Sequence, residues 1–364
     1  LVPQQIEALI NFITKARLLV SPPFTVIAGG KREVFMGLHT PIETHRTHPF
    51  GVEILDLRHF SSHNLRPLLE QETLLWAQMM SWDYRPSAEM ILRYIDSKIL
   101  PGYAAVEDGH IGGYAFFVYE GSKGVIGDLY ADDSIRIPGD TVENRLAMHV
   151  INTLQQSPGI QRIEAQLLPH ESGVLSAPFL AEGFRQYPRL FMTLPLRNGV
   201  RPEISSMPDI EFRRWGEQDF QPGAAVITTA YRGHIDSEIN DQYRSLNGSL
   251  RFLNNIVRFP GCGVFDAHAS FVALHKPTRS IAGLLLCSRV RDDVGHVTQV
   301  CVLPELRGRR IGESLIGLCT QELRSRNFLG LSLTVTEANA KAVDLYRRLG
   351  FETRRRFDAF VWEG

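Results

Sequence analysis

Apolar and polar positions along this chain change period in the same order twice. Between Val52 and Leu196 the pattern predicts a strand from Glu53, then helices over Leu65–Met80 and Ser87–Ile99. Three short apolar runs follow, Tyr103–Glu107, Tyr114–Val118 and Val125–Tyr130, with turn residues at Asp108-Gly109 and Gly121. Runs rich in β-branched and aromatic residues, bounded by such turns, read as an antiparallel meander. A helix over Val142–Gln155, a strand over Ile160–Leu167, a helix over Gly173–Ala181 and a strand over Phe184–Leu194 complete the first series. From Ile210 it restarts. Gln221–Tyr231 and Asp241–Arg258 have helical spacing, and Ala269–Leu274 and Ser280–Val290 are paired strands. His296–Leu303 is a strand stopped by Pro304. Ile311, Leu315, Ile316, Cys319 and Leu323 form the stripe of the next helix. Leu331–Val335 is a strand, Ala342, Val343, Leu345, Tyr346 and Leu349 mark another helix, and a last strand starts at Phe351. Ahead of both series, Ile6, Leu9, Ile10, Ile13 and Val20 mark an amphipathic helix over Pro3–Val20, which Ser21-Pro22-Pro23 ends.

The repetition is also visible in residues. Gly183-Phe184 recurs as Gly350-Phe351, 167 positions on, and Gly112 as Gly283, 171 positions on. The pattern therefore predicts an α/β (α+β) protein of two similar domains in tandem, each a mixed, mostly antiparallel sheet flanked by helices. The expected division is an N-terminal helical extension over 1–50, a first domain over 51–200 and a second over 201–364. Arg197–Pro202, punctuated by Gly and Pro, is the expected linker.

Composition narrows the class without naming it. The 364 residues are 44% hydrophobic and 22% charged, with a formal net charge of −1. That balance suits a globular protein and gives no support for nucleic-acid or membrane-surface binding. No apolar run reaches membrane-spanning length and no leader pattern is present, so the expected location is cytoplasmic. The four cysteines lack zinc-ligand spacing, and Cys287, Cys301 and Cys319 sit in apolar patterns that suit small buried side chains. His39, His45 and His48 fit no usual ligand set, and no metal is expected.

The chemistry concentrates between Gly295 and Phe351. Arg307-Gly308-Arg309-Arg310-Ile311-Gly312 follows a strand and opens a helix. Such a turn is suited to an anion, because its N–H groups are free, glycine admits close approach and the helix dipole favours negative charge. Downstream stand Asn339, Ala342, Leu345-Tyr346 and Gly350-Phe351. Together the loop and this segment resemble the GNAT superfamily of acyl-CoA-dependent N-acyltransferases, whose loop usually reads Gln/Arg-x-x-Gly-x-Gly/Ala. Here the fourth loop position is Arg310, a departure that puts the pyrophosphate contact there in question.

The resemblance implies a donor, acetyl-CoA, held as co-substrate by Arg307, Gly308, Arg309, Arg310, Ile311 and Gly312. It implies a splayed strand pair, near Thr334, that admits the pantetheine arm beside the backbone of Val300 and Val302. The Val300 N–H would face the carbonyl oxygen, Asn339 would bond the arm or merely cap its helix, and Tyr346 would be the general acid toward the leaving thiolate. His296 is the candidate base on the central strand, against the alternative of a strand-end surface histidine. Tyr231, His234, Asp236 and Asn240 border the expected acceptor site. Acidic groups there suit a small or cationic amine. The first domain has Phe179 at the place of Tyr346, Ser172 at that of Asn339, and Arg136–Thr141 at that of the loop. It is expected to be catalytically silent and to wall the cleft. The implied function is acetyl transfer to a primary amine by direct attack in a ternary complex, with homodimerisation left open. Two alternatives stand beside it: a non-catalytic acyl-CoA- or partner-binding protein, and a transferase for another acyl group or for an acceptor of the kind used by mycothiol synthases, whose tandem architecture is similar.

Overall fold

The computed structural model describes residues 51–197, 204, 206–258 and 263–364. The helix expected over Pro3–Val20, the three loop histidines, most of the linker and Cys262 lie outside the described residues. Within them the two series appear as expected. The first runs β1 (Glu53–Asp56), α1 (Ser62–Met80), α2 (Arg85–Asp96), β2 (Gly102–Glu107), β3 (His110–Glu120), β4 (Lys123–Ala131), α3 (Val142–Gln156), β5 (Arg162–Gln166), α4 (Ser176–Ala181) and β6 (Arg185–Pro195). The second runs β7 (Ile210–Arg214), α5 (Phe220–Ala230), α6 (Ile235–Ile239), α7 (Leu246–Arg258), β8 (Val264–Phe265), β9 (Phe271–His275), β10 (Ser280–Arg291), β11 (Val294–Val302), α8 (Ile311–Ser325), β12 (Gly330–Thr336), α9 (Ala340–Arg348) and β13 (Glu352–Glu363).

All these strands join one 13-stranded mixed sheet, flanked by the helices, in the order β1-β2-β3-β4-β5-β13-β6-β12-β11-β10-β9-β7, with β8 on β10. Only β4 with β5 and β11 with β12 pair in parallel. The order contains an exchange that the hydrophobic pattern does not reveal. The last strand of the first series, β6, lies against β12, and the last strand of the second, β13, lies against β5. The two exchanged strands then pair with each other. Strand pairing thus does not follow a linear division at residue 200. The run Arg354-Arg355-Arg356, which reads in sequence as a charged sheet edge, lies on this central β13. Arg354 and Arg355 donate there to backbone carbonyls, and Arg356 pairs with Glu337.

Helix faces match the expected stripes. Leu146, Ala147, Val150, Ile151 and Leu154 of α3 pack on the first half's strands, and Ile311, Leu315, Ile316, Cys319 and Leu323 of α8 on the second's. A buried ion cluster fastens the halves together. Lys123 Nζ lies 2.6 Å from Asp241 and 3.2 Å from Glu164 and from Glu120. It thereby holds the segment after α6 against β4 and β5. Among the described residues no helix is long and apolar enough to cross a membrane.

The first half also buries two facing carboxyl groups. Glu72 accepts from Trp76 Nε1 at 2.9 Å and from the Tyr114 hydroxyl at 2.5 Å, and Asp128 accepts from the Tyr84 hydroxyl at 2.5 Å. Burial, then the Asp128 charge, push the Glu72 carboxyl well above the usual range. A carboxyl whose folded-state pKa is raised stabilises the fold fully below its unfolded value. That contribution is lost as pH rises through the folded one. Glu72→Gln keeps the shape and removes the titration. Its stability should therefore gain on the wild type between about pH 5 and about pH 8, by up to ~1.4 kcal/mol per pH unit crossed before the folded pKa is reached. Urea midpoints at the two pH values check this. A gain that does not change with pH would rule it out.

Candidate active site

The site begins where the central strands part. β11 pairs with β12 only from Val294↔Gly330 to Val297↔Leu333, although the strands continue to Val302 and Thr336. A register shift against β10 leaves Thr298 unpaired and re-aims the strand beyond it. Leu303 N–H donates to Ala282 O on the β10 side. By strand alternation Val302 and Val300 then present their backbone groups to the opposite side, into the gap. Two contacts agree with this: Val302 O accepts from Arg307 Nε at 3.2 Å, and Val300 O from the Tyr231 hydroxyl at 3.3 Å.

The loop closes one end of the gap. Gly308 (φ 78°) and Arg310 (φ 61°) are both left-handed, which explains why glycine is usual at the fourth position: the turn needs a positive φ there, and arginine accepts it under strain. Gly308, Ile311 and Gly312 donate to no backbone carbonyl among the described residues. A Cβ on Gly312 would meet only Val302 Cγ2, at 3.7 Å, so its outer side is open. These amides and the start of the 15-residue α8 make a site able to hold a diphosphate. The arginines serve it differently from the expectation. Arg307 Nη2 reaches back to Ala230 O at 2.6 Å, Arg309 pairs with Asp209 at 2.6 Å, and Arg310 with Glu313 at 2.7 Å. They shape the turn, and Arg309 does not line the cleft. Positive charge comes also from Lys341 and Arg348 of α9, which do line it. The sequence reading missed both, although their spacing around Leu345 places all three on one helix face.

A cleft of ≈ 680 Å³ runs from this loop along the gap. It brings Val300, Val302, Asn339 and Tyr346 together with Tyr231, His234, Asp236 and Asn240. Asn339 caps α9 through a 3.4 Å bond from Ala342 N–H, and its Nδ2 lies 3.4 Å from His234 Nε2. His234 Nδ1 lies 3.5 Å from Asp236 Oδ2, and the other Asp236 oxygen accepts from the Thr336 hydroxyl. Burial, with the Asp236 charge, pushes the Tyr346 phenol well up, so it keeps its proton. Burial does the same for Tyr231.

His296 is not the surface histidine of the sequence alternative, and its surroundings oppose a base. It is 4% exposed, edge-on to Trp82 and stacked on Phe191, with Nδ1 2.9 Å from Ser332 Oγ. Burial holds its pKa well below the usual value, with the Arg189 charge adding to that. A neutral, enclosed imidazole is a weak proton acceptor. Beside it the cleft is lined by three residues to which the sequence reading gave no role: Gln299 of β11, and Gln166 and Arg189 of the first half. Only the strand exchange brings Arg189, on β6, opposite Thr336 of β12. No sequence period signals that neighbour.

In the first half the equivalent features are closed by the chain itself. Register places Leu129 where Val300 stands, since Ala115↔Leu129 matches Leu285↔Val300, and it sets Gly113, not the Gly112 of the sequence repeat, against Gly283. The Leu129 carbonyl takes His170 Nε2 at 2.7 Å. At the start of α3, Asp140 accepts from Thr141 N–H, and Thr141 accepts from Asn144 N–H. Phe179 is fully buried and stacks on Phe360 at 4.1 Å.

Comparison with known proteins agrees with this geometry. Residues 239–351 match the model of the Acetyltransferase (GNAT) family. A 169-residue stretch is 37% identical to the mycothiol acetyltransferase of Thermobifida fusca (strain YX), covering 44% of this chain and 48% of that protein. The chain thus spans about half the length of this curated relative. Among solved structures, a GCN5-related N-acetyltransferase from Sphaerobacter thermophilus superposes with a TM-score of 0.62 at 17% identity, over 86% of this chain and 95% of its own. A tandem GNAT protein from the clavulanic acid biosynthesis pathway gives 0.52 at 15% identity, over 86% and 98%. Two GNAT-like halves in tandem are the fold of this chain.

Proposed function

We propose, for a chain that belongs to the GNAT superfamily, that it transfers an acetyl group from acetyl-CoA to a primary amine by direct attack within the second half's cleft. The observation that carries the reading is the convergence, in one cleft, of an open strand edge, an anion-holding helix start and a protonated tyrosine. The amides of Gly308, Ile311 and Gly312, with Lys341 and Arg348, hold the phosphates. Val300 and Val302 bond the pantetheine arm across the gap, and Asn339 supports it from α9. Val300 N–H donates to the thioester carbonyl oxygen, a contact commonly worth about 10² to 10³ in rate.

His234 is the better base. Its Nε2 faces Asn339, beside the arm; Nδ1 accepts from the Asp236 N–H at 3.2 Å, and Nε2 takes a proton only in the tautomer that turns an Nδ1 proton to the Asp236 carboxylate, 3.5 Å away. His234 takes the amine proton as the new C–N bond forms, and Tyr346 gives its proton to the sulfur as the C–S bond breaks. Tyr231 braces the strand edge through Val300 O. Asn240 accepts from Gln242 N–H and caps the turn that Lys123 anchors through Asp241. The first half contributes walls and no second donor site. An acceptor like that of the curated mycothiol acetyltransferase stays within this reading.

Calorimetric titration of acetyl-CoA should give one site per chain, and amine-dependent thiol release should follow. Two equivalents would overturn the silent role of the first half. Binding without thiol release across a broad amine panel would favour a non-catalytic acyl-CoA-binding protein.

A further inference from the structure

We propose that Arg189, with Gln299 and Gln166, forms a subsite for a carboxylate carried by the acceptor, so that the amine acylated belongs to an amino acid or a similar amino-carboxylate. The inference deepens the amine-acylation reading and rests on it for the identity of the ligand.

Arg189 is 8% exposed and lines the cleft. Among the described residues its guanidinium meets no carboxylate. Its one hydrogen bond runs from Nη1 to Gln166 Oε1, at 2.7 Å, and Nε has no partner. The Phe357 ring lies beneath it, 6.0 Å away, and does not neutralise it. Gln299 is in the same state. It is 4% exposed, its Oε1 accepts from Tyr231 and its Nε2 has no partner. Two enclosed donor groups without partners, on residues that line the same cleft, are costly unless a ligand reaches in to complete them. A planar guanidinium fork matches a carboxylate, and the Gln299 amide on the same cleft is a further donor.

Position separates this subsite from the phosphates of the donor. Arg189 lies two residues from Phe191 on β6, and Phe191 stacks on His296, at the start of β11. The anion loop follows the end of that strand, six residues on, about 20 Å away at the rise of a strand. Arg189 also sits directly opposite Thr336, on the same face of the sheet, and the Thr336 hydroxyl bonds Asp236 behind His234. A carboxylate on Arg189 would therefore place an amine a few atoms away on the side of the cleft where His234 stands. The cationic acceptor expected from the acidic residues alone becomes a zwitterionic one.

The test compares α-amino acids with their own carboxamides, using acetyl-CoA and wild-type protein. Free acids should be turned over with kcat/KM about 10²-fold above the amides. The ratio should fall to near one in Arg189→Gln, through KM and with acetyl-CoA affinity unchanged. Arg189→Lys, which keeps the buried charge and so controls for a glutamine variant that fails to fold, should restore part of it. A wild-type ratio near one overturns the subsite while leaving acyl transfer intact. If no amine is turned over, calorimetry on the CoA-loaded protein decides. Saturable binding of the acids and not the amides supports the subsite and sinks the transfer reading. Binding of neither overturns the subsite.

Discussion

Gly312→Asp should cost at least about 10²-fold in acetyl-CoA affinity while leaving the fold as stable as before, or slightly more so. The two halves of that expectation have opposite signs, which makes the experiment informative. At the second position of α8 a carboxylate meets the positive end of the helix, worth roughly 0.3–1 kcal/mol of stabilisation. The side chain has room, since the nearest atom to an added Cβ is Val302 Cγ2 at 3.7 Å. It would, however, occupy the place and use the amides that a diphosphate needs, and add like-charge repulsion. Calorimetric titration beside a thermal melt checks both. A loss of binding accompanied by a fall in melting temperature would point to misfolding instead. Retained binding would place the donor elsewhere and remove the basis for the proposed function.

What the chain disclosed in advance, and what it hid, has a physical division. Period and turn chemistry are local properties, so the element order, the repeat and the anion loop were legible from Val52 onward. The convergence of Tyr346, Asn339 and the Tyr231–Asn240 segment was expected from the family resemblance alone, since spacing fixes each only on its own element. The fate of the three loop arginines was not legible. Asp209 and the Ala230 carbonyl are far away in sequence, and they take Arg309 and Arg307. His296 looked like a strand-end residue because the predicted strand starts with it, yet the strand begins at Val294 and Trp82 from the first half covers the ring. The exchange of β6 and β13 was the largest omission. Either strand would show the same alternation beside its own half or beside the other. Pairing at long separation leaves no period, and with it Arg189 stayed out of view.

Tyr346→Phe isolates the chemical step, and kcat should fall by about 10² to 10³ with acetyl-CoA affinity unchanged. Packing should not suffer. The ring is 7% exposed within the core around Leu315, Val343 and Phe351, and the first half keeps a phenylalanine, Phe179, at the corresponding place. The pH profile distinguishes an acid from a mere wall. Burial raises the Tyr346 pKa, with Asp236 adding, so the hydroxyl stays protonated above its ordinary titration range. The ratio of wild-type to variant kcat should therefore be constant between about pH 7 and about pH 9, the span in which amine and thiol groups titrate. A ratio that collapses as pH rises would mean that the proton leaves Tyr346 early, contrary to its burial. A ratio near one throughout would return the leaving sulfur's proton to solvent and leave Tyr346 as packing. His234→Ala, measured alongside, should lower kcat with acetyl-CoA affinity unchanged. The two variants thus separate the proton taken from nitrogen from the proton given to sulfur.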